Sequence, residues 1–254
     1  MNENLLKPMR EDGYFRKKLT FDDYCALLES GNLPARKVEL IDGDIIFKKD
    51  YLEGVDLAQH FPLMPEYEDG YPRKALTLSD CEVLIGAGLL GEREFELIEG
   101  EIVYRMPQNL VHAAVISIIL QIFFGLFGAE RIFTQATLKI GAMGYTSGPE
   151  PDVAVLRLPL KHYYTTDTNP LEDVLIVVEV ANTTLRGDTT VKALLYAKSA
   201  IPECWVVSLD KRELLVHRNP TPEGYTNLQT LTEGMILSPL SAPDAMIEVS
   251  TLLP

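Results

Sequence analysis

Two carboxylates and a lysine lie in a stretch of sequence that could support metal-dependent hydrolysis. Asp152 follows Pro151 and precedes the apolar run VAVL, and Glu179 lies near the end of a second apolar run, VLIVVEV. Lys192 follows a third acid, Asp188, by four residues. Burying an ionised carboxylate is costly unless a charge or a metal compensates it, and magnesium takes one or two protein carboxylates together with water and phosphate oxygens. We therefore interpret Asp152 and Glu179 as ligands of one cation, and Lys192 as a group that orients water or stabilises charge on phosphate.

The apolar pattern predicts the elements that must position these side chains. Residues 174–180 are apolar on both alternating faces, which predicts a strand covered on both sides. Residues 152–156 predict the strand before it. The spacing of Asp188 and Lys192 predicts that the two side chains share one face at the start of a helix. Each residue alone also fits an ordinary role, such as a strand-edge acid, a core ion pair with an arginine, a helix N-cap or a surface ion pair. Their order and spacing together favour the metal site.

The pattern PDVAVL, then LIVVEVANTTLRGD, then Lys192 and Tyr196, resembles the Uma2 family of restriction endonuclease-like proteins, in the PD-(D/E)XK nuclease superfamily. The upstream stretch FELIEGEIVYRMP and His112 are similar to the family's N-terminal signature, and the resemblance spans about residues 76–218. It implies an α/β (α+β) fold with a mixed central sheet flanked by helices. It also implies a divalent metal, Mg²⁺ or Mn²⁺, held by Asp152 and Glu179 at the strand ends.

The resemblance also assigns the lysine and two further candidates. The superfamily's usual lysine position falls on Ala181 here, so the resemblance implies that Lys192, from the next helix, takes that role. Glu96 and His112 match other family positions and are additional catalytic candidates. The implied activity is endonucleolytic hydrolysis of DNA phosphodiester bonds. Cutting both strands of a duplex with this architecture usually needs two sites, so a homodimer is implied as well.

The charge balance is a constraint on that activity. The formal net charge is −14, whereas nucleic-acid binding favours a basic surface. A nuclease of this composition needs the metal or a local basic patch, for which the candidates are Lys139, Arg157, Lys161, Arg186 and Lys198. Two alternatives stay open. One is a catalytically inactive interaction module on the nuclease fold, and the other is a metal-dependent phosphodiesterase that acts on small substrates.

Cysteine usage and the N-terminal residues favour a reducing compartment. The three cysteines, Cys25, Cys81 and Cys204, are scattered, which is typical neither of a disulfide framework nor of a metal-binding motif. The first residues, MNENLLKPMREDGYF, lack the apolar core of a signal peptide. We therefore expect the protein in the cytoplasm.

The run 109–130, NLVHAAVISIILQIFFGLFGAE, is apolar almost all round. A membrane span is the alternative interpretation, but His112, Ser117 and Gln121 interrupt the run and it is barely long enough. We expect a core helix and no membrane association. The alternation in the segment that follows, RIFTQATLKIG, predicts a strand.

The first hundred residues contain a duplication. Residues 11–49 and 68–106 align without gaps at an offset of 57 (68 − 11), and nearly half of the aligned positions are identical. Each copy predicts a helix capped by threonine and then a β-hairpin with a tight turn at DG or EG. Such a unit is too small to be stable alone, so we expect the first copy to pack on the main domain or on another subunit. We predict an N-terminal extension, 1–67, with its linker at 50–67, and a nuclease-like domain, 68–254.

Overall fold

The computed structural model describes residues 6–7, 9–48, 56–64, 71–91, 94–141, 144–163, 169–182 and 185–253. Parts of the predicted linker, 50–55 and 65–67, lie outside these residues. The chain forms two compact units: the first contains 1–10, 14–105 and 139–149, and the second contains 11–13, 106–138 and 150–254. The predicted domain boundary after residue 67 falls within the first of these units and stays a prediction.

The first unit contains both copies of the duplicated sequence. The helices are α1 (Phe21–Glu29) and α2 (Leu78–Gly86), and the strands are β1 (Phe15–Arg16), β2 (Val38–Ile41), β3 (Asp44–Phe47), β4 (Phe95–Ile98) and β5 (Glu101–Tyr104). Thr20 and Thr77 cap the two helices, each in a capping box with the aspartate three residues later. Both hairpins turn through two residues of positive φ, the second of them a glycine, which is typical of a type I′ turn.

The second unit contains a mixed six-stranded sheet and two main helices. The strands of the sheet are β6 (Ile132–Phe133), β7 (Val153–Leu156), β8 (Val174–Ala181), β9 (Glu203–Ser208), β10 (Glu213–Thr221) and β11 (Gly224–Leu231). The short strands β12 (Ile236–Leu237) and β13 (Ile247–Glu248) form a separate pair. The helices are α3 (Leu110–Phe127) and α4, which consists of Leu185–Gly187, a π-helical turn at Asp188–Lys192 and Ala193–Lys198. Short 3₁₀ turns lie at Leu57–Gln59 in the first unit and at Ala129–Arg131, Leu160–Tyr163, Pro170–Asp173 and Val249–Leu252 in the second.

The strand order of the large sheet is β11-β10-β9-β8-β7-β6. Its neighbours are antiparallel except β8 and β9, which are parallel. A parallel pair needs a crossover connection, and α4 supplies it between β8 and β9. The mixed central sheet with flanking helices confirms the predicted α/β (α+β) fold class.

The core of the second unit lies between the sheet and α3. Val115, Ile119 and Phe123 of α3 form one apolar cluster with Val178 of β8 and Trp205 of β9. α3 is also long and apolar enough, by length and composition alone, to cross a membrane. A helix that packs on a soluble core passes the same test, so this finding is weak evidence for a membrane.

Two predictions of secondary structure are wrong in their extent. The strand predicted over RIFTQATLKIG is only Ile132–Phe133, because Gln135 adopts a positive φ of 49° and turns the chain. The helix predicted to begin around Asp188 begins at Leu185 instead, so Asp188 is not its N-cap. The strand over 174–180 is confirmed as Val174–Ala181, and it is buried apart from the partly exposed Leu175.

Candidate active site

Asp152 and Glu179 lie at the same level on two neighbouring strands. Asp152 is the residue before β7, and Val153 of β7 lies opposite Val178 of β8. Because the two strands are antiparallel, Asp152 comes at the level of Glu179. The two residues are 7% and 3% exposed, so both carboxylates are withdrawn from water. Charged groups this deeply buried need compensation from nearby donors or cations.

Donors from three directions hold the Asp152 carboxylate. Oδ2 accepts a hydrogen bond from the backbone N–H of Val180 at 2.8 Å and lies 3.3 Å from Nε2 of His112. Oδ1 accepts a longer hydrogen bond, 3.4 Å, from Nε2 of Gln108. The backbone bond fixes one oxygen to β8, so the carboxylate is oriented before any ligand binds.

His112 reaches Asp152 from the first turn of α3. Asn109 caps this helix and accepts a hydrogen bond from the His112 N–H at 2.9 Å, which fixes the backbone of the histidine. Burial lowers the pKa of His112, but the hydrogen bond to Asp152 and the negative charges of Asp152 and Asp188 outweigh it, so the pKa is raised. The carboxylate of Asp152 therefore stabilises the protonated form of His112 relative to that of a free histidine.

Two side chains of α4 contact the carboxylate of Glu179. Its Oε1 accepts a hydrogen bond from the hydroxyl of Tyr196 at 2.6 Å. Nζ of Lys192 lies 3.4 Å from each of the two carboxylate oxygens. Lys192 is only 6% exposed, so this is a buried ion pair in which the cation approaches the carboxylate from the helix side.

The charged residues at the two ends of the π-helical turn, Asp188 and Lys192, lie close to each other. Asp188, which is also buried, lies 3.8 Å from Nζ of Lys192. Ala181, which stands at the superfamily's usual lysine position, is fully buried in β8 opposite Ser208. The structure thus places a lysine amine beside the second acid even though the usual position is an alanine. Single π turns inside α-helices are frequent at functional sites.

The donor set fits a hard divalent cation in its chemistry. Asp152 and Glu179 offer carboxylate oxygens, and magnesium needs one or two protein carboxylates because it keeps several of its waters. Among the described residues, no group of three or more His, Cys, Asp or Glu side chains is placed to hold a metal ion. A cation here would therefore depend on two protein ligands and on water or substrate oxygens.

Two of the sequence candidates, Glu96 and Lys139, lie in the first unit, whereas Asp152, Glu179 and Lys192 lie in the second. Glu96 lies on β4 in the first unit, where it pairs with Arg105 at 3.7 Å, and its role stays a prediction. Of the proposed basic patch, Lys139 is in the first unit as well. Arg186 lies 2.6 Å from Glu11, which offsets its charge.

Sequence reasoning missed two contacts at the site. Tyr196 follows Lys192 by four residues, and that helical spacing could have placed its hydroxyl beside Glu179. Asp188 pairs with Lys192, as the i,i+4 spacing predicts, although the sequence alone does not make it a site residue. No sequence pattern predicts the contact of Gln108 with Asp152, because Gln108 precedes the cap of α3 and only the tertiary fold brings it near Asp152.

Comparisons with known proteins agree with the fold described above. The sequence profile of the Uma2 family, described as "Putative restriction endonuclease", matches residues 89–250. A crystal structure described as "a putative nuclease belonging to DUF820", from Anabaena variabilis ATCC 29413, is similar in fold, with a TM-score of 0.52 and 18% sequence identity. The similarity covers 70% of this chain and 97% of that chain. No curated protein matches the sequence. Because the profile spans more than half of the sequence, and Asp152, Glu179 and Lys192 lie within it, the chain belongs to the Uma2 family.

Proposed function

We propose that the protein is a metal-dependent endonuclease that hydrolyses DNA phosphodiester bonds. The observation that carries this proposal is the buried contact of Glu179 with Lys192, at the level of Asp152 on the neighbouring strand. Two acids can hold a catalytic metal ion, and a lysine can stabilise the negative charge that develops on a phosphate. The family's description, "Putative restriction endonuclease", supports the same reaction class.

Each side chain has a distinct role in this proposal. Asp152 and Glu179 would hold Mg²⁺ or Mn²⁺, which when bound polarises a phosphate and lowers the pKa of a bound water. Lys192 donates from Nζ to the attacking water or to a phosphate oxygen and stabilises the developing negative charge. His112 orients Asp152 through Oδ2, and Glu96 is proposed as an additional acid.

The proposed substrate implies an arrangement of subunits and a compartment. Two strands of a duplex require two sites, so we propose that the enzyme works as a homodimer. Cys25, Cys81 and Cys204 are all free thiols, which supports a reducing compartment and a cytoplasmic location. No membrane is needed for this role.

The net charge of −14 favours two other candidate functions. An acidic surface repels nucleic acid, so the fold could serve as an inactive interaction module. A phosphodiesterase for small substrates would also need no basic track for DNA. Both alternatives retain Asp152, Glu179 and Lys192, and they differ in the molecule that binds at these residues.

Cleavage of supercoiled plasmid and of single-stranded DNA tests the proposal. The wild-type chain is compared with Asp152→Ala and Lys192→Ala in Mg²⁺ or Mn²⁺. We expect cutting by the wild type that both substitutions abolish. Turnover of a small phosphodiester without DNA cutting would favour the small-substrate enzyme. The absence of both activities from the folded protein would favour the inactive module, and cutting that survives both substitutions would mean that the site is elsewhere.

A further inference from the structure

Two glutamine side chains form a chain of hydrogen bonds that ends at the Asp152 carboxylate. Nε2 of Gln135 donates to Oε1 of Gln108 at 3.3 Å, and Nε2 of Gln108 donates to Oδ1 of Asp152 at 3.4 Å. Both hydrogen bonds are long, and both glutamines are exposed. All three residues belong to the second unit. The chain of amides therefore connects the exposed surface of that unit with a nearly buried carboxylate.

The direction of these hydrogen bonds follows from the chemistry of the carboxylate. An ionised carboxylate only accepts hydrogen bonds, whereas a primary amide both donates and accepts. Gln108 must therefore turn its NH₂ group towards Asp152, which leaves its carbonyl oxygen to accept from Gln135. The opposite orientation of the Gln108 amide would place two acceptor oxygens against each other. The donor of Gln135 thus favours the orientation in which Gln108 donates to Asp152.

The chain reaches the carboxylate oxygen that the rest of the site leaves available. Oδ2 of Asp152 accepts from the backbone N–H of Val180 and lies 3.3 Å from Nε2 of His112. Among the described residues, the polar contact of Oδ1 is with Gln108. A carboxylate oxygen has more than one lone pair, so Oδ1 is the atom at which Asp152 can still bind a cation. Gln108 contacts this atom and so influences its direction.

The backbone around Gln135 is tied to the residues just before Asp152. The backbone N–H of Gln135 donates to the carbonyl of Pro151 at 3.0 Å, and Oγ1 of Thr137 donates to Oε1 of Glu150 at 3.0 Å. The φ of Gln135 is 49°, in the left-handed region that residues other than glycine rarely adopt. Such backbone strain is concentrated at functional sites, which points to a role for this side chain.

We propose that Gln108 is a positioning residue for the metal-binding oxygen of Asp152, and that Gln135 positions Gln108. This inference rests on the proposed metal-dependent function and adds two residues that are not themselves ligands. Partners that hydrogen-bond a ligating carboxylate orient it, and their loss typically weakens metal binding by about 10–100-fold. Because both hydrogen bonds are long and exposed, we expect effects at the lower end of this range.

Binding of Mn²⁺ to the full chain, measured by calorimetry, is compared with thermal unfolding followed by the fluorescence of Trp205, which is buried in the second unit. Gln108→Leu removes the donor at a similar side-chain volume, and we expect it to weaken binding about tenfold. Its Tm should stay within about 2 °C of the wild type, because substitutions of exposed residues change stability little. Gln121→Leu, at an exposed position of α3, is the matched control and should leave binding unchanged.

Gln135→Gly separates positioning from stability. Glycine adopts a positive φ without strain, and this relief offsets the greater freedom of glycine in the unfolded chain. We therefore expect weaker binding of Mn²⁺, by a smaller factor than in Gln108→Leu, together with a Tm that does not fall. A residue with a purely structural role would lower binding and Tm together.

The NMR signals of the side-chain amides report the chain of hydrogen bonds without metal. The signal of Gln108 is assigned from its loss in Gln108→Leu. It should shift in Gln135→Gly and in Asp152→Asn, because each substitution removes one of its two partners. A signal that both substitutions leave in place would show that the amides do not form this chain.

The binding measurements distinguish failure of this inference from failure of the proposed function. Mn²⁺ binding as tight in Gln108→Leu as in the wild type would overturn this inference alone. Binding that is weakened in Gln108→Leu but unchanged in Gln135→Gly would overturn the role of Gln135. A wild type that binds no Mn²⁺ would overturn the proposed function and this inference together.

Discussion

Replacing Lys192 by methionine should destabilise the second unit strongly. Lys192 and Glu179 are 6% and 3% exposed and 3.4 Å apart, and the buried Asp188 lies 3.8 Å from the same amine. Lys192→Met fills a similar volume but leaves two buried carboxylates without their cation. Removing one partner of a buried ion pair costs about 3–5 kcal/mol. For a protein of this size that corresponds to a fall in Tm of roughly 6–20 °C.

The single tryptophan allows the loss of stability to be measured in the second unit, which contains Lys192. Trp205 is fully buried, and its ring lies 5.6 Å from that of Phe123 in α3, so its fluorescence reports unfolding of the second unit. Lys198→Met, at the exposed end of the same helix, is the matched control and should change the free energy of unfolding by less than about 0.5 kcal/mol. Equal effects of the two substitutions would refute the reasoning that Lys192 compensates buried charge.

Three further predictions concern individual side chains. Tyr196→Phe removes the hydroxyl that donates to Glu179, so unfolding measured in urea should become easier by about 1.5–3 kcal/mol; no change would mean that this bond is not formed in solution. The pKa of His112, measured by NMR titration, should lie above 6.5 and should fall in Asp152→Asn. The contribution of His112 to the free energy of unfolding should be complete below about pH 6.5 and be lost as the pH rises through the pKa of the folded protein. A pKa at or below 6.5 in the wild type would contradict this. One thiol, Cys25, should react quickly with a thiol reagent in the native chain and all three only after unfolding, because the other two are buried with raised pKa values; fast reaction of all three would show that the core opens readily.

The sequence was sufficient for the elements whose signal is local. The continuous apolar run over 174–180 identified β8 because a strand buried on both faces has no polar alternation. The capping boxes at Thr20 and Thr77 identified both helix starts, since the threonine and aspartate act within one turn. These features depend on neighbours in the chain and not on the rest of the fold.

The parts that sequence reasoning missed depend on tertiary contacts. The stretch LRGDTT contains a glycine and two threonines, which are weak helix formers, yet α4 already begins at Leu185 and forms a π turn at Asp188–Lys192. The buried contact of Asp188 with Lys192 accompanies this π turn, and helix propensity does not predict such a contact. Likewise, the pairing of Asp152 with His112 joins the start of a helix to the start of a strand, which no local pattern connects.

Binding of Mn²⁺ to the full chain, measured by calorimetry, tests the central claim most directly. The claim is that Asp152 and Glu179 together hold one divalent cation. Asp152→Asn keeps the shape of the side chain and removes its charge, so it isolates the carboxylate from the packing. We predict one site per wild-type chain that is lost in Asp152→Asn, while the fluorescence of Trp205 shows that the variant is folded. A wild-type chain that binds no Mn²⁺, or a variant that binds it as tightly, would contradict the account.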